Sequence, residues 1–128
     1  MKTIAICTML LILGSSCREV VIIDSSAEIV SRSIDETLNG SALVYGYVYS
    51  AGTANRPYLF ATVWVEGSDL KVNAGTDGNF NLTILPGKYT LKCLSENADP
   101  QFTATIKDIT LTANEKVEVI FYHGKIGE

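Results

Sequence analysis

Short stretches of alternating apolar and polar residues dominate the chain from about residue 41 to residue 123, and turn residues separate them. The first stretch alternates three small apolar residues with three phenols, in the order Val44, Tyr45, Gly46, Tyr47, Val48, Tyr49. A period of two is typical of β-strands, whose successive side chains point to opposite faces. The pattern recurs roughly every eight to twelve residues, which predicts an antiparallel β-sandwich.

Seven strands are predicted, at about residues 44–49, 60–66, 70–74, 80–84, 88–94, 102–111 and 117–122. Asp77-Gly78 predicts a tight hairpin before the fourth strand, Pro86-Gly87 predicts the next turn, and Asp108 marks a possible bulge. Fourteen side chains are expected to face the core: Val44, Val48, Ala61, Val63, Val65, Phe80, Leu82, Tyr89, Leu91, Phe102, Ile106, Val117, Val119 and Phe121.

The first sixteen residues have the features of an export signal. Lys2 gives a positive start, and the apolar run 4–13 is too short to span a bilayer, so an N-terminal signal helix is predicted over residues 1–16. The run ends in Gly14-Ser15-Ser16-Cys17. This segment resembles the lipobox of bacterial lipoproteins, although Leu13 lies one place earlier than the usual leucine. The resemblance implies cleavage before Cys17 and a diacylglycerol anchor on its sulfur.

Residues 17–40 are predicted to be a lipidated N-terminus and tether, residues 41–123 the sandwich, and residues 124–128 a flexible tail. An alternative for the tether is an extra edge strand at Val20–Ile23 followed by a short helix capped near Ser33, because Asp35 and Glu36 would suit a first helical turn.

Three cysteines bear on the anchor. Cleavage would remove Cys7 and leave Cys17 and Cys93, which could instead form a disulfide in a secreted domain. If Cys17 carries lipid, Cys93 has no partner. Its register with Tyr89 and Leu91 then predicts a small buried hydrophobe, with catalysis by Cys93 a remote alternative.

Charge narrows the range of partners. The chain has 10 basic and 14 acidic residues; removal of Lys2 with the signal leaves 9 against 14, a net charge of −5. The basic residues are scattered, so a nucleic acid is not an expected partner, and membrane attachment is expected to come from lipid alone.

Four motifs occur in order along the predicted sandwich: Gly46-Tyr47-Val48, Ala61-Thr62-Val63-Trp64-Val65-Glu66-Gly67, Thr76-Asp77-Gly78-Asn79-Phe80 and Pro86-Gly87-Lys88-Tyr89-Thr90-Leu91. Over residues 43–122 the chain resembles the carboxypeptidase regulatory-like domain, with a shorter hairpin before Phe80 than most members have. The resemblance implies an all-β, seven-stranded antiparallel Greek-key sandwich of the prealbumin-like type. It also implies a non-catalytic module with no cofactor.

Candidate chemistry is sparse. His123, the one histidine, is predicted near the flexible tail and is a weak candidate for a catalytic triad. Four polar residues could surround a calcium ion at one end of the sandwich, but their spacing matches no calcium loop, so no metal site is predicted. They are Asp69, Asp77, Asn79 and Asp99.

The main candidate binding surface is aromatic, because Tyr45, Tyr47 and Tyr49 are expected on one outer face, with Trp64 outward on the next strand. The tyrosines could also be covered, or be there simply as good strand formers. The expected function is that of a lipid-anchored accessory module of the cell envelope, with outer membrane as the default location and a protein partner. The alternative is a surface lipoprotein that binds a small molecule or glycan, and an enzyme is the least favoured class.

Overall fold

The computed structural model describes residues 2–8 and 16–127, and the chain is all-β. The strands are β1 (Lys2–Thr8), β2 (Ser16–Ile23), β3 (Ser26–Ile34), β4 (Ala42–Ser50), β5 (Ala61–Val65), β6 (Lys71–Asn73), β7 (Asn79–Ile84), β8 (Gly87–Ser95), β9 (Ala104–Leu111), β10 (Glu115–His123) and β11 (Lys125–Gly127). Within the described ranges, helical structure is confined to two short 3-10 turns, Glu36–Leu38 and Pro100–Phe102.

Two four-stranded sheets share one hydrophobic core, an arrangement consistent with a β-sandwich. Their strand orders are β3-β10-β4-β7 and β6-β5-β8-β9. All fourteen residues predicted to face inward belong to the core or pack against it, with Tyr89 and Ile106 only partly buried. Each of the seven predicted strands is present as one of β4 to β10, and a bulge between β8 and β9 lies at Asp108, as predicted.

Gly46 allows the first sheet to form at its centre. A Cβ on Gly46 would lie 1.7 Å from the carbonyl oxygen of Val119 on the neighbouring strand β10. Real Cβ atoms do not approach so closely, and only glycine removes the clash. The small residue in the first motif is therefore required by the approach of two main chains.

The prediction of a wholly antiparallel sandwich is wrong in one place. β10 lies between β3 and β4 and runs parallel to β4, with Val117 opposite Val44 and Phe121 opposite Val48. A parallel pair needs a long crossover rather than a hairpin, and here the chain passes through the second sheet between β4 and β10. Alternation within each strand carries no information about this pairing.

The predicted Asp77-Gly78 hairpin is also corrected. Gly78 has the expected positive φ of 82°. However, the turn joins β6 to β7, which belong to different sheets. The main-chain N–H of Val48 bonds the carbonyl of Gly78 at 2.8 Å, so the turn extends the pairing of β7 with β4. An Asp-Gly turn satisfies its own backbone and does not select the sheet that the next strand joins.

The N-terminal region differs from the expected signal helix and tether. Residues 2–8 form β1, antiparallel to β2, while half of the predicted apolar run, residues 9–13, lies outside the described residues. Within residues 17–40, β3 pairs antiparallel with β10, and Asp35 caps the turn Glu36–Leu38. The alternative is right that Val20–Ile23 belong to a strand, but this strand, β2, is central in a third sheet, and Ser33 lies within β3 and does not cap a helix. In the first sheet, β3 pairs along β10 and is itself the edge strand.

The expected flexible tail is also partly ordered. Lys125–Gly127 form β11, which pairs antiparallel with residues 21–23 of β2. This pairing makes a third, three-stranded sheet of order β1-β2-β11. The end of the chain is therefore connected by main-chain hydrogen bonds to the strand that contains Cys17.

Candidate binding surfaces

Three tyrosines of β4 lie on the outer face of the first sheet. Tyr45, Tyr47 and Tyr49 are each partly exposed, whereas the residues between them are buried. This is the orientation that the alternation predicted, because neighbouring side chains on a strand point to opposite faces.

Strand β10 adds an aliphatic residue and a fourth phenol to this face. The parallel register places Ile120 beside Tyr47 and Tyr122 beside Tyr49. We call the surface formed by Tyr45, Tyr47, Tyr49, Ile120 and Tyr122 the tyrosine face. Ile120 and Tyr122 were missed as site residues because the sequence did not reveal that β10 pairs with β4.

A carboxylate of the edge strand contacts the tyrosine face. The Tyr122 hydroxyl donates a hydrogen bond of 2.9 Å to Oε1 of Glu28 on β3. This bond favours the protonated phenol and raises the pKa of Tyr122, with smaller contributions from desolvation and from the Glu28 charge. The edge strand is thereby linked to the outer face of β10.

One face of each tyrosine ring of β4 is in contact with a neighbouring side chain. The rings of Tyr47 and Tyr49 stack on each other, with centroids 5.3 Å apart and planes 8° from parallel. The ammonium of Lys116 lies over the ring of Tyr45, 5.0 Å from its centroid. Because these contacts already use one face of each ring, the groups offered outward include ring edges and hydroxyls.

The prediction that Trp64 faces the solvent is correct, but Trp64 does not join the tyrosines. It lies on β5, between the buried Val63 and Val65, and so points away from the core on the outer side of the second sheet. The tyrosines point away from the core on the outer side of the first sheet. The aromatic residues are therefore divided between opposite faces of the sandwich.

Cys17 and Cys93 lie in different sheets. Cys17 lies in β2, where the main-chain register places it opposite Cys7 of β1. Cys93 is a free, fully buried thiol, as its strand register predicted. Burial disfavours the thiolate and raises the pKa of Cys93 to about 12. A thiol in this state is a poor nucleophile.

His123 is fully buried at the end of β10, the last strand of the first sheet in chain order. Its Nε2 accepts the main-chain N–H of Ser95 at 3.0 Å, and its Nδ1 lies 2.7 Å from the carbonyl oxygen of Gly124. The ring stacks on Tyr58 at a centroid distance of 3.9 Å. Both ring nitrogens are thus engaged by main-chain groups.

Two of the four residues considered as calcium ligands accept main-chain hydrogen bonds within local turns. Asp77 accepts the N–H of Asn79, and Asp99 accepts the N–H of Gln101 at the start of a 3-10 turn. Across residues 2–8 and 16–127, no three His, Cys, Asp or Glu side chains come together in a way that could hold a metal ion.

The chain matches no protein-family model, and no curated protein matches it. In the described part of the chain, no helix has the length and hydrophobicity needed to cross a membrane.

Proposed function

We propose that this chain is a non-catalytic accessory module of the cell envelope, anchored through lipid on Cys17, that binds a protein partner through the tyrosine face. The observation that carries the binding role is the clustering of four phenols and Ile120 on one outer sheet face. Tyrosine is enriched at protein interfaces because its ring buries apolar area while its hydroxyl keeps a hydrogen bond.

Ring geometry favours a protein partner over a glycan. A sugar stacks on an open ring face, and Tyr45, Tyr47 and Tyr49 each have a face in contact with a neighbouring group. Edges and hydroxyls suit a surface of mixed apolar and polar groups, such as that of another protein. Binding of a glycan or small molecule by the same aromatic residues is the alternative.

The anchor is proposed from the sequence that precedes and includes Cys17. A positive start, a short apolar run and small residues before a cysteine are typical of lipoprotein signals. Cleavage before Cys17 would remove β1 and leave β2 paired with β11. Two or more acyl chains give lasting membrane attachment, since each buried methylene contributes about 0.8 kcal/mol. We propose the outer membrane as its location.

The resemblance to the carboxypeptidase regulatory-like domain supports the same proposal. Its four motifs coincide with structural features such as the close contact at Gly46 and the turn at Gly78. We accordingly propose a prealbumin-like fold whose motif residues serve the fold and whose outer face serves binding.

Crosslinking in intact cells tests the binding role. We expect the wild-type chain to capture a discrete envelope protein, and Tyr47→Ala to lose it. Trp64→Ala is the matched control, because it removes an aromatic residue from the opposite face. Recovery of no protein under conditions that recover known envelope complexes would contradict the proposal. A glycan-array signal abolished by Tyr47→Ala would favour the alternative.

A further inference from the structure

A second surface lies at one end of the sandwich, where the segment 51–60 leads from β4 into β5. Phe60 is 74% exposed and Leu59 is 50% exposed. Phe60 also has a φ of 60°, a left-handed conformation that is unfavourable for a bulky residue. Exposed aromatic residues held in such backbone conformations concentrate at binding sites.

The main chain around Phe60 is held in place by hydrogen bonds. The N–H of Glu96 donates to the carbonyl of Phe60 at 2.9 Å, and the Ser95 hydroxyl donates to the carbonyl of Leu59 at 3.1 Å. The N–H of Tyr58 donates to the carbonyl of Val48 at 3.1 Å. The exposed phenyl ring therefore projects from a fixed segment.

Arg56, Lys125 and the largely buried Ser50 line a depression of about 370 Å³ beside Phe60. The Lys125 ammonium donates to the Ser50 hydroxyl oxygen at 3.1 Å, and the Ser50 N–H donates to the Arg56 carbonyl at 2.7 Å. Among the described residues, neither Arg56 nor Lys125 forms an ion pair. The Ser50 hydroxyl oxygen accepts the hydrogen bond from Lys125. The hydrogen of the Ser50 hydroxyl can therefore be donated to another acceptor. The depression is thus lined by two cationic residues and a serine.

Phe60 also borders a second depression, of about 420 Å³, with a different character. Ala61 and Ala74 line it together with the uncharged Thr62, Asn73 and Thr76, and Glu96 is the one charged residue of its lining. An apolar or uncharged side chain fits there, while a second carboxylate would meet the charge of Glu96. The two depressions therefore differ in the groups they can accept.

We propose that these adjoining depressions, the Phe60 groove, bind an acidic peptide segment. Arg56, Lys125 and the Ser50 hydroxyl hold one carboxylate, and Phe60 packs against an apolar side chain two residues away. A guanidinium binds a carboxylate through paired, charge-assisted hydrogen bonds. In an extended peptide, side chains two residues apart point to the same side, so one segment can supply both groups.

The test uses an isotope-labelled full chain and an extended peptide with blocked ends that contains one glutamate two residues from a leucine. We expect saturable NMR shifts at the amides of Ser50, Arg56 and Phe60. The same peptide with glutamine in place of glutamate should bind at least about ten times more weakly, since it lacks the charge. Equal shifts with both peptides, or none at millimolar concentration, would overturn the proposal.

Variants and vesicles distinguish a peptide site from a lipid site and from general charge attraction. Arg56→Gln should weaken peptide binding about tenfold, whereas Lys107→Gln, an exposed cation elsewhere on β9, should leave it unchanged. Arg56-dependent binding to phosphatidylglycerol vesicles with no peptide binding would assign the groove to lipid headgroups and overturn the peptide proposal. The groove does not include Tyr47, so its failure and failure of the tyrosine face are distinguishable.

Discussion

Ser95 donates its main-chain N–H to Nε2 of His123 over 3.0 Å, which places a hydrogen-bond acceptor of the buried imidazole against the end of β8. Protonation of Nε2 would replace that acceptor with a second donor. Burial lowers the pKa of His123, and the bond to the Gly124 carbonyl only partly opposes this effect. The neutral tautomer with a proton on Nδ1 satisfies both contacts.

This relationship predicts acid sensitivity. In the unfolded chain the histidine pKa is about 6.5, and in the folded chain it is lower. The folded state therefore has its full stability above about pH 6.5 and loses it as the pH falls towards the folded pKa. Urea midpoints measured at pH 7.5 and pH 5.5 should show this loss.

A glutamine variant controls for other titrating groups. His123→Gln keeps one acceptor and one donor but does not titrate, so its midpoint should change less between the two pH values. The other carboxylates of the chain contribute equally to the pH dependence of the midpoint in the wild type and in the variant. If the urea midpoint fell by the same amount in the wild type and in the variant, His123 would not be the cause of the acid sensitivity.

Gly46→Ala should destabilise the sandwich severely. The new methyl would meet the Val119 carbonyl oxygen at 1.7 Å and force β4 and β10 apart, at a cost of about 3 kcal/mol or more in the free energy of unfolding. Gly67→Ala is the matched control, because Gly67 also has a positive φ but nothing lies within 4 Å of its added Cβ. That variant should lose only about 1 kcal/mol from backbone strain. Equal losses in the two thermal melts would contradict the close contact.

The thiol of Cys93 should be unreactive until the chain unfolds. With a pKa of about 12, its thiolate fraction at pH 8 is on the order of one in ten thousand. In a Cys7→Ser, Cys17→Ser background, a thiol reagent should label nothing in buffer and one group in urea. Rapid labelling of the native protein would place Cys93 at an accessible site.

Alternation along the chain was enough to predict β4 to β10 and the inward set, because burial on a strand repeats every second residue. It could not predict the parallel pairing of β10 with β4, which depends on contacts distant in sequence. Three of the five residues of the tyrosine face were therefore predicted: Tyr45, Tyr47 and Tyr49 follow from one strand, while Ile120 and Tyr122 require the sheet order.

Trp64 and the Phe60 groove illustrate the same limit. Outward orientation of Trp64 follows from its neighbours on β5, but the assignment of β5 to the second sheet does not. Arg56 and Lys125 lie far apart in sequence and line the same depression because the main chain of Arg56 and the side chain of Lys125 both bond Ser50. No spacing rule identifies such a pair.

The anchor at Cys17 is the claim on which the proposed function most depends, and the mass of the protein isolated from native membranes tests it most directly. We predict a chain that begins at Cys17 and carries diacylglycerol on its sulfur, with residues 1–16 absent. A chain that retains residues 1–16, or an N-terminal Cys17 without acyl groups, would contradict the account.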